Sequence, residues 1–246
     1  MERVLILGAT SAIAAEVAVL HARRGDRLHL VGRSPAKLAA VVARCDGAAV
    51  TSATADFTLP GVSEAAVREA LATLGGIDRA LIAHGDLGDQ LATERDPAAA
   101  EAVMQANLLS VIALLIPLAN AMEAARGGRL GVITSVAAER GRPRNYTYAA
   151  AKGALNVYLQ GLRTRLYGAG VKVTTLKLGP VDTPMTVGHA KHPLFGTARG
   201  VARDIVRAMD RGEAEAYAPR VWRAVMAVVR ATPEAVFQRI GFLSGR

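Results

Sequence analysis

The sequence predicts one doubly wound α/β domain: a parallel sheet of about seven strands with helices on both faces. Two observations predict it. Apolar runs of five to seven residues alternate with longer stretches of helical periodicity, and such regular alternation implies right-handed crossovers between parallel strands. No linker, repeat or low-complexity stretch interrupts the 246 residues, so residues 1–246 read as a single domain.

The elements follow in order. Arg3–Leu7 is the first strand, an apolar run that stops at Gly8. Ala12–Arg24 reads as a helix and Gly25-Asp26 as a turn. Arg27–Val31 is the second strand. The helix Pro35–Arg44 opens on a proline, whose missing N–H has no partner in a first turn anyway. Ala48–Thr54, Ile77–Ala83, Arg129–Thr134 and Val171–Lys177 continue the strands, and Ala214–Ala218 is a short last one. Helices at Val62–Leu74, Pro97–Arg126, Tyr146–Tyr167 and Ala198–Arg211 connect them. Ala102–Met122 carries no charged side chain and is long enough to cross a bilayer. Its Gln105, Asn107, Ser110 and Asn120 would be costly in hydrocarbon, so it reads as a buried helix at a subunit interface. Pro184–Thr197, with its glycine, prolines and mixed polarity, suits a lid over a site.

Composition removes several classes. Hydrophobic residues make up 51% and charged residues 21%, which excludes disorder as the main state. The single Cys45 excludes a disulfide scaffold and suits a reducing cytoplasm. His189 and His192 have ligand spacing but no third partner, so no metal is expected. The formal charge is +9. Aromatics are only 4% and are not interleaved with basic residues, which argues against nucleic acid.

Chemistry is concentrated in two places. Gly8 begins the first βα turn, Gly8-Ala-Thr-Ser-Ala-Ile-Ala14. A glycine there permits a tight turn, so that the following amides and the helix N-terminus face a pyrophosphate. Thr10 and Ser11 add hydroxyl donors. Farther along, Ser135 closes the fifth strand, and Tyr148 and Lys152 stand four residues apart at the start of a helix. That spacing puts both on one helix face. A phenol has a pKa of about 10, and a nearby ammonium favours the phenolate, so the pair suits proton transfer.

Together these residues resemble the short-chain dehydrogenase/reductase family over nearly the whole chain, from Val4 to about Ala218. Leu7–Ala14 aligns with the family's T-G-x-x-x-G-x-G, Ala83-His84-Gly85 with its N-A-G, Asn107 and Ser135 with its Asn and Ser, and Tyr148 and Lys152 with Y-x-x-x-K. The resemblance implies a Rossmann-like fold and hydride transfer between a nicotinamide and a ketone or secondary alcohol. It implies that Tyr148 is the acid in reduction, that Lys152 lowers its pKa and holds the nicotinamide ribose, that Ser135 positions the carbonyl and that Asn107 supports a water-linked proton relay. It also implies a cofactor site of Gly8, Thr10, Ser11, Ala12, Ile13, Asp56, Ala83, Gly85, Val181 and Thr183, and a homodimer or homotetramer. Ala12 and Ala14 replace family glycines, which is tolerable where φ is negative. His84 replaces an alanine and is expected to fill space near the cofactor.

Cofactor choice is read from the second strand. Leu30-Val31-Gly32-Arg33-Ser34 ends without the acid that would bind a ribose 2′-hydroxyl. Arg33 and Ser34 can meet a 2′-phosphate instead, which favours NADP(H) over NAD(H); with the family resemblance, that implies the reductive direction. The tail, residues 219–246, holds five arginines against one glutamate, with Trp222, Met226, Phe237, Ile240 and Phe242 among them. It reads as two amphipathic helices broken at Pro233, packed on protein or lying on an anionic membrane as a peripheral anchor. The tail, the first turn and Asp182–Met185 also resemble a branch of the family that includes decaprenylphosphoryl-2-keto-pentose reductases. A lipid-linked sugar ketone is therefore one expected substrate. A soluble ketone or 3-oxoacyl thioester is the alternative, and a non-catalytic cofactor-binding scaffold the lesser one.

Overall fold

The structure of the chain, a computed structural model, describes residues 1–186 and 192–240. The first half runs β1 (Arg3–Leu7), α1 (Ala12–Ala22), β2 (Arg27–Gly32), α2 (Pro35–Ala43), β3 (Val50–Thr54), α3 (Val62–Leu74) and β4 (Arg79–Ile82). It continues through α4 (Gln90–Thr93), α5 (Pro97–Met104), α6 (Ser110–Ala124), β5 (Arg129–Ser135), α7 (Tyr146–Leu166) and β6 (Lys172–Leu178). The rest is β7 (Val181–Asp182), β8 (Gly196–Thr197), α8 (Ala198–Arg211), β9 (Glu215–Ala218), α9 (Trp222–Ala231) and α10 (Glu234–Phe237).

Seven parallel strands form one sheet in the order β3-β2-β1-β4-β5-β6-β9. Both faces are covered. Ile13, Val17 and Ala18 of α1 and Val201, Ile205 and Met209 of α8 pack on one face. Val67 of α3, Leu114 and Leu118 of α6 and Leu155 and Leu159 of α7 pack on the other. Such double coverage explains why the strands are continuous apolar runs. The chain leaves β1 towards β2 on one side and reaches β4 on the other, which opens a crevice at the C-terminal ends of β1 and β4.

Three local features differ from the sequence expectation. Pro97–Ala124 is one rod, but its middle, Gln105–Leu109, is a π-helical turn. Val111, Leu114, Leu115, Leu118 and Met122 of the rod lie in the core, so the uncharged stretch is a helix packed on its own sheet. The short helix α4 and the two-residue pair β7–β8 carry too little periodicity to be seen in the sequence. Of the expected lid, 184–197, the ends are a 3-10 turn at Pro184–Thr186 and the segment from His192 onward. His189 lies outside the described residues.

Of the two readings of the tail, the described residues show packing on protein. Its break at Pro233 is as expected, but Trp222, Met226, Val229 and Phe237 are buried with Val136 in a small core of their own. Side chains that would have dipped into a bilayer are already inside the protein. Arg140 secures the arrangement. Its Nη1 donates to Val229 O at 2.8 Å and Thr232 O at 2.5 Å, the open carbonyls at the end of α9. Its guanidinium also lies 4.0 Å over the Phe237 ring. Arg220, Arg223 and Arg239 remain exposed, and Phe242 lies outside the described residues.

Candidate active site

Gly8 leaves β1 with φ 83°, a conformation that side chains resist. The turn is also crowded: a Cβ at Gly8 would stand 2.6 Å from the His84 backbone nitrogen. The amides of Gly8 and Ala9 both donate to Val31 O, which curls the chain over the end of β2. Ser11 sits at the N-cap of α1 without any side-chain capping bond, so the first amides of that helix are left for a ligand. Arg126 alone among the described non-glycine residues has positive φ. Ala12 and Ala14 therefore have the negative φ that makes their methyls tolerable, and Ala14 is buried in the core. Thr10 turns its methyl towards Gly32, where a Cβ would approach within 2.9 Å.

The end of β4 faces this turn. Ala83 N–H donates to Leu7 O at 2.8 Å, which sets Ala83-His84-Gly85 beside Gly8. A Cβ on Gly85 would lie 2.8 Å from Asn107 Oδ1 and 3.2 Å from Lys152 Nζ, so both groups border the same glycine. Asn107 is fully buried in the π-helical turn, a distortion common at functional sites. Its Nδ2 donates to Asp86 O at 2.6 Å and Val103 O at 2.9 Å, and its Oδ1 accepts from Asp86 N at 3.1 Å. Those bonds lock the backbone that follows Gly85.

His84 packs its ring 5.0 Å from Phe57 and shares a 2.8 Å hydrogen bond between Nε2 and Ser110 Oγ. The Ser110 hydroxyl donates to Ala106 O, so Nε2 is the donor to Ser110 and Nδ1 is left as a bare acceptor. Burial first, then the Lys152 and Arg33 charges, push the imidazole down to about 3. His84 is therefore a neutral spacer beneath Gly8, as the sequence suggested.

Ser135 closes β5, and its hydroxyl accepts from Ala137 N at 3.1 Å, capping a 3-10 turn at Val136–Glu139. Tyr148 and Lys152 share a face of α7, with Nζ 5.9 Å from the phenol ring centre. Burial pushes the Tyr148 phenol up to about 12, and a hydrogen bond with Ser135 opposes it. Burial pushes Lys152 down to about 8. At the phenol of the free protein, burial outweighs the Ser135 hydrogen bond. The Lys152 ammonium donates to Ile133 O at 3.3 Å, and desolvation dominates both groups.

Known proteins similar to the chain give its family. The family described as short chain dehydrogenase matches residues 2–193. The chain belongs to that family. It is 33% identical to an uncharacterized oxidoreductase of Mycobacterium tuberculosis over 246 residues, covering 96% of each chain. Levodione reductase superposes with a TM-score of 0.79 at 25% identity, over 87% of this chain and 93% of the other. An actinorhodin polyketide ketoreductase solved with NADPH superposes at 0.78 and 21% identity, over 87% and 92%, which speaks to the fold.

The short-chain dehydrogenases bind NAD(P)H, and the geometry here fits such a group. The uncapped N-terminus of α1 and the crowded Gly8 turn form a cradle that a Cβ would fill. At the end of β2, Arg33 is exposed and Ser34 caps α2 by accepting from Lys37 N at 3.4 Å. Asp56 accepts from Thr58 N at 3.0 Å and Thr58 Oγ1 at 2.7 Å, which, with the Arg33 charge nearby, keeps its carboxyl below the usual range. Beyond β6, Val181 is buried and Thr183 Oγ1 donates to Val181 O at 3.3 Å. Ile13 is buried, while Thr10, Ser11 and Ala12 stay partly open. Two residues had no role assigned from sequence: Arg140, which holds the tail, and Trp222, which packs on Gly179 just before Val181. Their only sequence signal was membership in an amphipathic pattern or a loop.

Proposed function

We propose that the chain is an NADPH-dependent reductase of ketones. One observation carries the reading: Tyr148 and Lys152 share a face of α7, with Nζ 5.9 Å from the phenol ring centre and 3.2 Å from where a Cβ on Gly85 would stand. A protonated phenol there is the starting state that reduction needs. A bound nicotinamide would supply the hydride for a carbonyl carbon. Tyr148 gives its phenolic proton to the carbonyl oxygen as negative charge develops there. Ser135 donates a hydrogen bond to the same oxygen and orients it. Lys152 holds the ribose hydroxyls and returns a proton to Tyr148, a transfer that an amine near 8 makes readily at physiological pH. Asn107 holds the Gly85–Asp86 backbone beside Lys152 and supports the water-linked route by which that proton is renewed. Oxidation would need the phenolate, which burial disfavours.

Arg33 and Ser34 receive the 2′-phosphate, Asp56 the adenine, and Gly8, Thr10, Ser11, Ala12 and Ile13 the pyrophosphate. Ala83, Gly85, Val181 and Thr183 border the ribose and the nicotinamide. The polyketide ketoreductase with the same fold is described with NADPH. Charge-assisted bonds contribute roughly 1.5–3 kcal/mol each, so NADPH should bind at least about tenfold tighter than NADH, with Arg33→Ala narrowing the gap. Equal affinities in a fluorescence titration would remove the preference.

The lipid-linked sugar ketone rested on a tail whose apolar face is buried inside the domain. That favours a ketone free in solution. A carbonyl panel containing levodione and a 3-oxoacyl thioester, with NADPH oxidation as readout, tests the activity. No turnover on any member, together with intact NADPH binding, would instead favour the cofactor-binding scaffold. The rod α5–α6 exposes Leu109 and Ile116 seven residues apart on one face, and we assign that face to a homodimer, to be tested by light scattering of Ile116→Lys.

A further inference from the structure

Trp222 is the chain's single tryptophan, and it joins three segments that the sequence keeps apart. Its indole lies so close to Gly179 that a Cβ there would fall on the ring. Gly179 follows β6 directly and leads through Pro180 into Val181 and Thr183. The indole Nε1 donates to Leu194 O at 3.1 Å. On the same segment, the His192 ring is 6.5 Å from the indole and meets Phe195 edge-on at 4.7 Å. Gly196 N–H then donates to Pro180 O at 2.9 Å, which starts the β7–β8 pair. Pro219, three residues before Trp222, presses on Gly196, where a Cβ would come within 2.8 Å of it.

The pyrrole edge of the indole is the part that packs over Gly179. The indole adds a donor aimed at one backbone carbonyl, and that donor fixes where the 192–196 segment lies relative to Gly179–Thr183. We propose that Trp222 is a positioning residue for the ketone side of the site: through the Leu194 carbonyl and Gly179 it sets the spacing between the segment leaving β6 and the segment returning to α8. The tail thereby becomes part of the substrate site. The activity arm of the test rests on the reductase reading; the exchange arm does not.

The test is Trp222→Phe, which keeps an aromatic ring at the position and removes the indole N–H donor along with part of the bicycle. Hydrogen exchange should quicken about tenfold in peptides covering 192–197, with peptides from β1 and β4 unchanged, because a lost buried hydrogen bond frees a local unit. For the panel ketone that the wild type reduces best, KM should rise about fivefold while kcat and NADPH affinity stay within about twofold, the signature of lost substrate binding. Exchange at 192–197 equal to wild type, or quickened to the same extent in β1 and β4, would overturn the proposal. So would faster exchange with an unchanged KM. A wild type that reduces no ketone defeats the reductase reading, and exchange alone then decides the placement of the segment.

Discussion

Replacing Arg140 with alanine asks whether the C-terminal tail belongs to the fold. One guanidinium carries two bonds to the carbonyls of Val229 and Thr232, at 2.8 and 2.5 Å, and stacks on Phe237 at 4.0 Å. Hydrogen bonds from a charged donor contribute roughly 1.5–3 kcal/mol each, and the ring contact about 0.5–1 kcal/mol. The pair with Glu234 adds little, because Glu234 is 68% exposed. The contacts share one group and do not sum in full, so the loss should be about 3–4 kcal/mol. At roughly 2–4 °C per kcal/mol for a chain of this size, Tm should fall by about 6–15 °C. Urea unfolding followed by Trp222 emission measures it, and native emission should shift to the red as the tail loosens over the indole. Arg140→Lys should recover under half of the loss, since an ammonium lacks the planar fork that reaches both carbonyls and the ring. A destabilisation below about 1 kcal/mol with unshifted emission would show that the tail is held by something else.

Other outcomes follow from the site. Tyr148→Phe should abolish turnover and leave NADPH affinity within about twofold, whereas Lys152→Ala should damage both; wild-type turnover in the phenylalanine variant would remove the acid role. Lys152 is charged below about pH 8 and loses its proton above, so reductive kcat should be flat below that pH and fall beyond it; a profile that keeps rising above it would contradict the proton-return step. Gly8→Ala must place a Cβ at φ 83° and 2.6 Å from His84 N, so cofactor affinity should fall at least about tenfold; isothermal titration with unchanged affinity would show that the turn can relax. Truncation after Ala218 should uncover Val136, lower solubility and leave anionic liposomes ignored by full-length and truncated protein alike; salt-sensitive flotation of the intact chain would restore the interfacial tail.

Much of the architecture was legible in the residue order. Strands buried on both faces must be apolar throughout, so β1, β2 and β6 stood out as runs. The periodicity of α8 and α9 separated their inner from their outer faces. The candidate site was legible for the same local reason: four residues along a helix return to the same face, so spacing alone pairs Tyr148 with Lys152. Asn107 was found by its match to a family motif, but the π-helical turn around it was not, since a one-residue change of hydrogen-bond partner leaves no mark on composition.

Which groups share an environment is another matter. An amphipathic helix gains the same apolar burial from a bilayer interface as from a protein groove, so the pattern of Trp222, Met226 and Phe237 could not choose between them. Gly179 chose, by leaving room for an indole, and Arg140 chose, by reaching the carbonyls at the end of α9 from far away in sequence. Proton affinities are also decided in space. Spacing placed an ammonium near a phenol, and burial then raises Tyr148 and lowers Lys152. The sequence by itself determined the parallel sheet, the glycine turn and the residues that can do the chemistry, because each depends on neighbours within a few positions. What the tail covers, and how burial shifts the phenol and the amine, came from the folded chain, because desolvation and long-range packing depend on segments that meet only when it is folded.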